Sequence, residues 1–79
     1  MKIKVYGPGC MNCTNLEKEV INALAELDMA ANVEKVTDIK AIVEAGIMMT
    51  PGLVINGKVK SYGRVPRREE IKKFINEEL

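Results

Sequence analysis

A chain of 79 residues has room for one small domain with a modest core, and such a core must use most of the apolar residues available. Twelve basic against eleven acidic side chains leave a formal charge of +1. The signs are mixed along the chain, which excludes a field built to hold nucleic acid or an anionic membrane. Two cysteines and no histidine exclude a multiply bridged secreted scaffold and leave a structural zinc site short of donors.

Lys2 to Tyr6 alternates polar and apolar, with Ile3 and Val5 on one face, and Gly7-Pro8-Gly9 breaks the pattern. This predicts the first strand. It is too short to be the apolar core of a signal peptide, and no run of about 18 apolar residues follows to span a bilayer. A soluble protein of a reducing compartment, the cytoplasm, is therefore expected.

From Cys13 onward Leu16, Val20, Leu24 and Leu27 recur every three or four residues, supported by Ala23, and predict an amphipathic helix ending near Asp28. Its start is open. Thr14 to Glu17 has capping-box spacing, but a helix beginning at Met11 or Asn12 behind Gly9 or Cys10 is equally compatible with the sequence. Asn32 to Thr37 reads as a short second strand around Val33 and Val36. Asp38 then caps a helix carrying Ile39, Ile42, Val43 and Ile47, with Gly46 at its end.

Leu53-Val54-Ile55, Asn56-Gly57 and Val59 to Tyr62 form the strongest short-range hairpin signal in the chain. Pro66 to Leu79 places Ile71, Phe74, Ile75 and Leu79 on one stripe and predicts a terminal helix packed on the sheet. The order is βαβαββα: an α/β arrangement of a four-stranded mixed sheet and three helices, parallel in its first half and antiparallel in its second. No repeat or linker interrupts residues 1–79, so one domain is expected.

The chemistry-bearing motif is Cys10-Met11-Asn12-Cys13, which holds both cysteines between the first strand and the first helix. A disulfide across so short a loop constrains the unfolded chain by only about 2 kcal/mol, against about 4.7 for a 100-residue loop. The pair therefore reads as a reactive dithiol rather than a staple. First-turn amides and the helix dipole favour a thiolate at Cys10, and Cys13, three residues on, is placed to complete an intramolecular exchange.

The order βαβαββα, with Cys10-Met11-Asn12-Cys13 after the first strand and Thr50-Pro51 before the third, resembles the minimal thioredoxin or glutaredoxin-like fold. The likeness is closest to the small archaeal and bacterial thioredoxin-like, redox-active disulfide proteins. It is carried by Lys4 to Cys13, by Thr50-Pro51-Gly52-Leu53-Val54-Ile55-Asn56-Gly57 and by Gly63 to Pro66, and it covers essentially the whole chain.

The resemblance implies a sheet of order 2-1-3-4 and a cis Thr50-Pro51 bond beside the dithiol. It also implies that Cys10 attacks and Cys13 resolves, and that Thr50 offers backbone groups to an extended client segment. Without it, Pro51 is simply a loop residue starting a strand. The implied activity is protein-disulfide reduction by a monomer without bound cofactor or metal. Client protein disulfides and a thioredoxin-reductase-like electron donor are the implied partners.

The chain departs from the larger thioredoxins. It lacks their extra N-terminal strand and helix, the tryptophan before the first cysteine, and the Gly-Pro between the cysteines. No aspartate is identifiable behind Cys13, and Lys4 and Tyr6 read as surface side chains. The glutaredoxin tyrosine between the cysteines is absent, although Gly63-Arg64 lies where that family often contacts glutathione.

Met11 and Met49 are named with Thr50 and Pro51 as client-binding candidates. With Ile47 and Met48, the two methionines would form an adaptable apolar rim. Against that rim stands the expectation preferred for the pair, that one of Met48 and Met49 is core and the other a lone exposed hydrophobe. Arg64, Arg67 and Arg68 are either a basic cluster for an acidic partner or a solvated helix start.

Two other functional classes fit parts of the pattern. Two thiolates and a methionine suit a soft metal such as Cu(I) or arsenite. Copper-chaperone loops, however, place methionine before the first cysteine, and their domain ends on a strand. A non-catalytic interaction module, switched by the state of its dithiol, is the third class.

Overall fold

The computed structural model describes residues 1–79. Its elements are β1 (Lys2–Tyr6), α1 (Met11–Glu26), β2 (Asn32–Val36), α2 (Ile39–Glu44), β3 (Gly52–Ile55), β4 (Lys58–Tyr62) and α3 (Arg68–Asn76). The strands form one sheet of order β2-β1-β3-β4. β1 pairs in parallel with β2, as a helical crossover through α1 requires, and antiparallel with β3. The β3–β4 hairpin turns through Asn56 and Gly57, both at positive φ (51° and 81°), which is the twist a two-residue hairpin turn needs.

Alternation along the strands sorts the interior into two layers. Ile3 and Val5 of β1 with Leu53 and Ile55 of β3 meet Leu16, Val20, Ala23 and Leu24 of α1 and Ile71 and Ile75 of α3. The opposite face holds a smaller cluster of Tyr6, Val54, Ile42 and Ile47. Tyr6 is thus buried, not the surface side chain expected, because the odd residues of β1 face α1 and α3 and turn Tyr6 under α2.

Helix α2 has only six residues and covers little of that face. Of its four expected apolar contacts only Ile42 and Ile47 are buried, and Ile39 and Val43 are exposed. Its end explains the burial of Ile47. The amide of Ile47 donates to the carbonyl of Ile42 and that of Gly46 to Val43, closing a Schellman turn that folds Ile47 back onto Ile42. Helix α1 ends the same way through Asp28, at φ 53°. Leu79, placed on the α3 stripe by its spacing, lies beyond the last turn and is exposed.

Ion pairs tie the outer elements together. Arg68 of α3 reaches Glu19 and Glu26 of α1 at 3.0 and 2.8 Å, and Lys72 reaches Glu26 at 2.9 Å. Between the pairs Leu53↔Ser61 and Val54↔Val59, β4 carries one extra residue, Lys60. Its ammonium pairs with Glu77 and Glu78, pinning the end of the chain to the sheet.

Candidate active site

The end of β1 delivers the two cysteines. Gly7 leaves the strand with its amide still donating to Val36 at 2.9 Å, and the turn Pro8-Gly9 brings Cys10 to the start of α1. Cys10 is the N-cap: its backbone is extended (φ −69°, ψ 168°), and its Sγ accepts a hydrogen bond from the Cys13 amide at 3.3 Å. The choice left open by the sequence is thus resolved in favour of Cys10. Thr14 lies one turn further in, its hydroxyl donating to the Cys10 carbonyl at 3.3 Å.

The two thiols are free and differ in setting. Cys10 is exposed, whereas Cys13 keeps 2 % of its surface accessible. The Cys13 thiol and amide, both donating toward the Cys10 sulfur, hold the Cys10 pKa below its ordinary value. Burial, and then the neighbouring Cys10 sulfur, push the Cys13 thiol up. No carboxylate contributes to either shift. The two sulfurs belong to no group of three or more cysteine and acidic side chains able to hold a metal ion.

The Thr50-Pro51 bond is cis, with Thr50 exposed and Pro51 buried. The Pro51 carbonyl accepts from the Gly63 amide at 2.9 Å, which joins this loop to the one leading into α3. Gly63 also lies under Met49: a methyl group placed on it would approach the Met49 Cβ to 3.2 Å and its Sδ to 3.6 Å. The Cys10–Cys13 segment and the Thr50-Pro51 loop meet at Gly7, where a methyl group would contact Cys13 on one side and lie 3.8 Å from the Thr50 Cβ on the other.

Met11, Met48 and Met49 are exposed to 80 %, 83 % and 62 %. Neither Met48 nor Met49 is core, contrary to the expectation that one of them would be buried. Ile47 is buried and takes no part in a rim. The arginine cluster also resolves differently from a free basic patch, since Arg64 is bound by both oxygens of Glu70 and Arg68 by Glu19 and Glu26.

Gly7 carried no functional signal in the sequence beyond that of a strand breaker, yet it is the residue in contact with the buried sulfur. A groove of about 570 Å³ lies elsewhere, on the sheet face left open by α2, and is lined by Lys2, Lys4, Tyr6, Val54 and Val59 among others.

Residues 1–76 match the model of the family described as the thioredoxin domain. The chain belongs to the thioredoxin family. A thioredoxin of Methanothermobacter thermautotrophicus is 46 % identical over 76 residues, covering 96 % of this chain and 99 % of that protein. A thioredoxin of Methanocaldococcus jannaschii is 34 % identical over 77 residues, covering 98 % and 88 %. A second Methanothermobacter thermautotrophicus protein, named a probable thioredoxin, is 34 % identical over 83 residues, covering all of this chain and 96 % of its own. Membership of the thioredoxin family supports a thiol-disulfide oxidoreductase role, and the Cys10/Cys13 pair fits its CxxC motif. No helix of the structure is long and apolar enough to cross a membrane.

Proposed function

We propose that this chain is a protein-disulfide oxidoreductase that works as a reductant through Cys10 and Cys13. The Cys10 thiolate attacks one sulfur of a client disulfide. That S–S bond breaks, a Cys10–client mixed disulfide forms, and the departing client thiolate takes up a proton. Cys13 then loses its proton and attacks the Cys10 sulfur, releasing the second client thiol and leaving a Cys10–Cys13 disulfide. Two electrons have passed to the client. A thioredoxin-reductase-like donor supplies a second pair that, with two protons, reopens the Cys10–Cys13 disulfide, and the cycle requires no bound cofactor.

The observation that carries this reading is the asymmetry of the pair: an exposed N-cap sulfur receiving an amide hydrogen bond, beside a buried thiol three residues on. In the proposal Thr50 offers its backbone groups to an extended client segment. Met11 and Met49 supply the apolar contacts around it; Pro51, expected among the client contacts, is fully buried and serves only to shape the loop that presents Thr50. The unit proposed to act is a single thioredoxin-like domain over residues 1–79, monomeric and cytoplasmic.

The test is trapping by mass spectrometry with a disulfide-bonded protein substrate. Cys10→Ser should abolish exchange, and Cys13→Ser should accumulate a covalent adduct between Cys10 and the client. Exchange surviving Cys10→Ser, or a Cys13→Ser variant that turns over without an adduct, would overturn the assignment.

A further inference from the structure

Gly7 is buried, and its backbone has little freedom to recede. Its amide is held by the Val36 carbonyl at 2.9 Å as a continuation of the β1–β2 pairing. A methyl group on Gly7 would overlap the Cys13 Sγ, approach the Cys13 Cβ to 3.1 Å and lie 3.8 Å from the Thr50 Cβ. The space of the missing side chain is therefore occupied by the sulfur of Cys13. Cys13 is itself fixed in the first turn of α1, whose N-cap is Cys10, so the overlap can be relieved mainly by turning the thiol about its Cα–Cβ bond.

We propose that Gly7 is a positioning residue for the dithiol: the absence of a side chain there makes the seat in which the Cys13 sulfur rests when reduced. The inference rests on the thiol-disulfide reading given above. In the disulfide the same sulfur is drawn to bonding distance, about 2.05 Å, from Cys10 and no longer needs the seat. A side chain at Gly7 thus disfavours the dithiol more than the disulfide. The residue sets the balance of the couple without touching the client.

The test is Gly7→Ala, read in two ways. The first is equilibration with oxidised glutathione. Cys10 and Cys13 are oxidised to one intramolecular disulfide, and the two electrons and two protons leave as two molecules of reduced glutathione. The equilibrium constant for oxidation should rise at least tenfold in the variant, which is a potential lower by about 30 mV for a two-electron couple.

The second is a urea-unfolding cycle on the reduced protein. Gly7→Ala should lower the midpoint when Cys13 is present, and by less than half as much in a Cys13→Ala background, where the seat is empty. An unchanged equilibrium constant, or equal midpoint shifts in the two backgrounds, overturns the proposal. The unfolding cycle needs no turnover, so it decides the Gly7–Cys13 relationship even if the wild-type protein reduces no client.

Discussion

The Cys13 amide donates to the Sγ of Cys10 at 3.3 Å, so a cysteine sulfur occupies the place usually taken by the oxygen of a serine or aspartate N-cap. One hydrogen bond thereby does two things. It satisfies a first-turn amide that has no partner within the helix, and it stabilises negative charge on the exposed sulfur. The residue that caps the helix is thus also the one whose sulfur charge the cap stabilises.

Alkylation should reveal this asymmetry directly. The thiolate is the reacting form, so iodoacetamide should modify Cys10 with a pH midpoint below the ordinary thiol value of about 8.5, and Cys13 only at higher pH. Because the Cys13 thiol is the largest cause of the Cys10 shift, Cys13→Ala should move the Cys10 midpoint upward. Mass-resolved rates across pH give both values. Equal midpoints for the two cysteines would contradict the structural asymmetry.

Met49 lies over Gly63, whose amide donates to the Pro51 carbonyl, with most of its surface open, and Met11, the residue after Cys10, is exposed as well. Partial burial of one methionine against a client is worth part of the roughly 1.5–3 kcal/mol of full burial. Met49→Ser should therefore lower kcat/KM for a protein disulfide about three- to tenfold. Reaction with bis(2-hydroxyethyl) disulfide, which carries no peptide segment to lie against Met49, should be unaffected. Equal loss on both substrates would place the effect in the dithiol rather than in client contact.

Acid should weaken the fold through three carboxylates. Arg68 chiefly holds Glu26 below the usual carboxylate range, Arg64 does so for Glu70, and Lys60 for Glu78. A carboxyl group whose pKa is lower folded than unfolded contributes stability above its unfolded value and loses it as pH falls through the folded value. The urea midpoint should therefore fall between about pH 5 and pH 3. Glu26→Gln should flatten part of that slope. A midpoint independent of pH over this window would contradict the ion-pair account.

The strand and helix order was legible in the sequence because alternation at Ile3 and Val5, helical spacing at Leu16, Val20 and Leu24, and the Asn56-Gly57 turn each specify one kind of element. The sequence misled where tertiary context decides. Ile39 and Val43 carry apolar side chains on a helix too short to bury them. Tyr6 looks like a strand-end surface residue until α2 covers it. Arg64 and Arg68 read as free cations because Glu19, Glu26 and Glu70 lie on other turns and elements. Within the site, Cys10, Cys13, Thr50 and Pro51 were visible as motifs. The contact between Gly7 and the Cys13 sulfur was not, since nothing in a Gly-Pro-Gly turn reports what fills the space of a missing side chain.

The most direct test of the central claim is the equilibrium of the reduced protein with a glutathione buffer of defined poise, each redox species being counted by mass after acid trapping. A single reversible two-electron couple between Cys10 and Cys13 is expected at or below about −250 mV, low enough to reduce client disulfides in a reducing compartment. Two independent glutathione adducts with no intramolecular disulfide would contradict it.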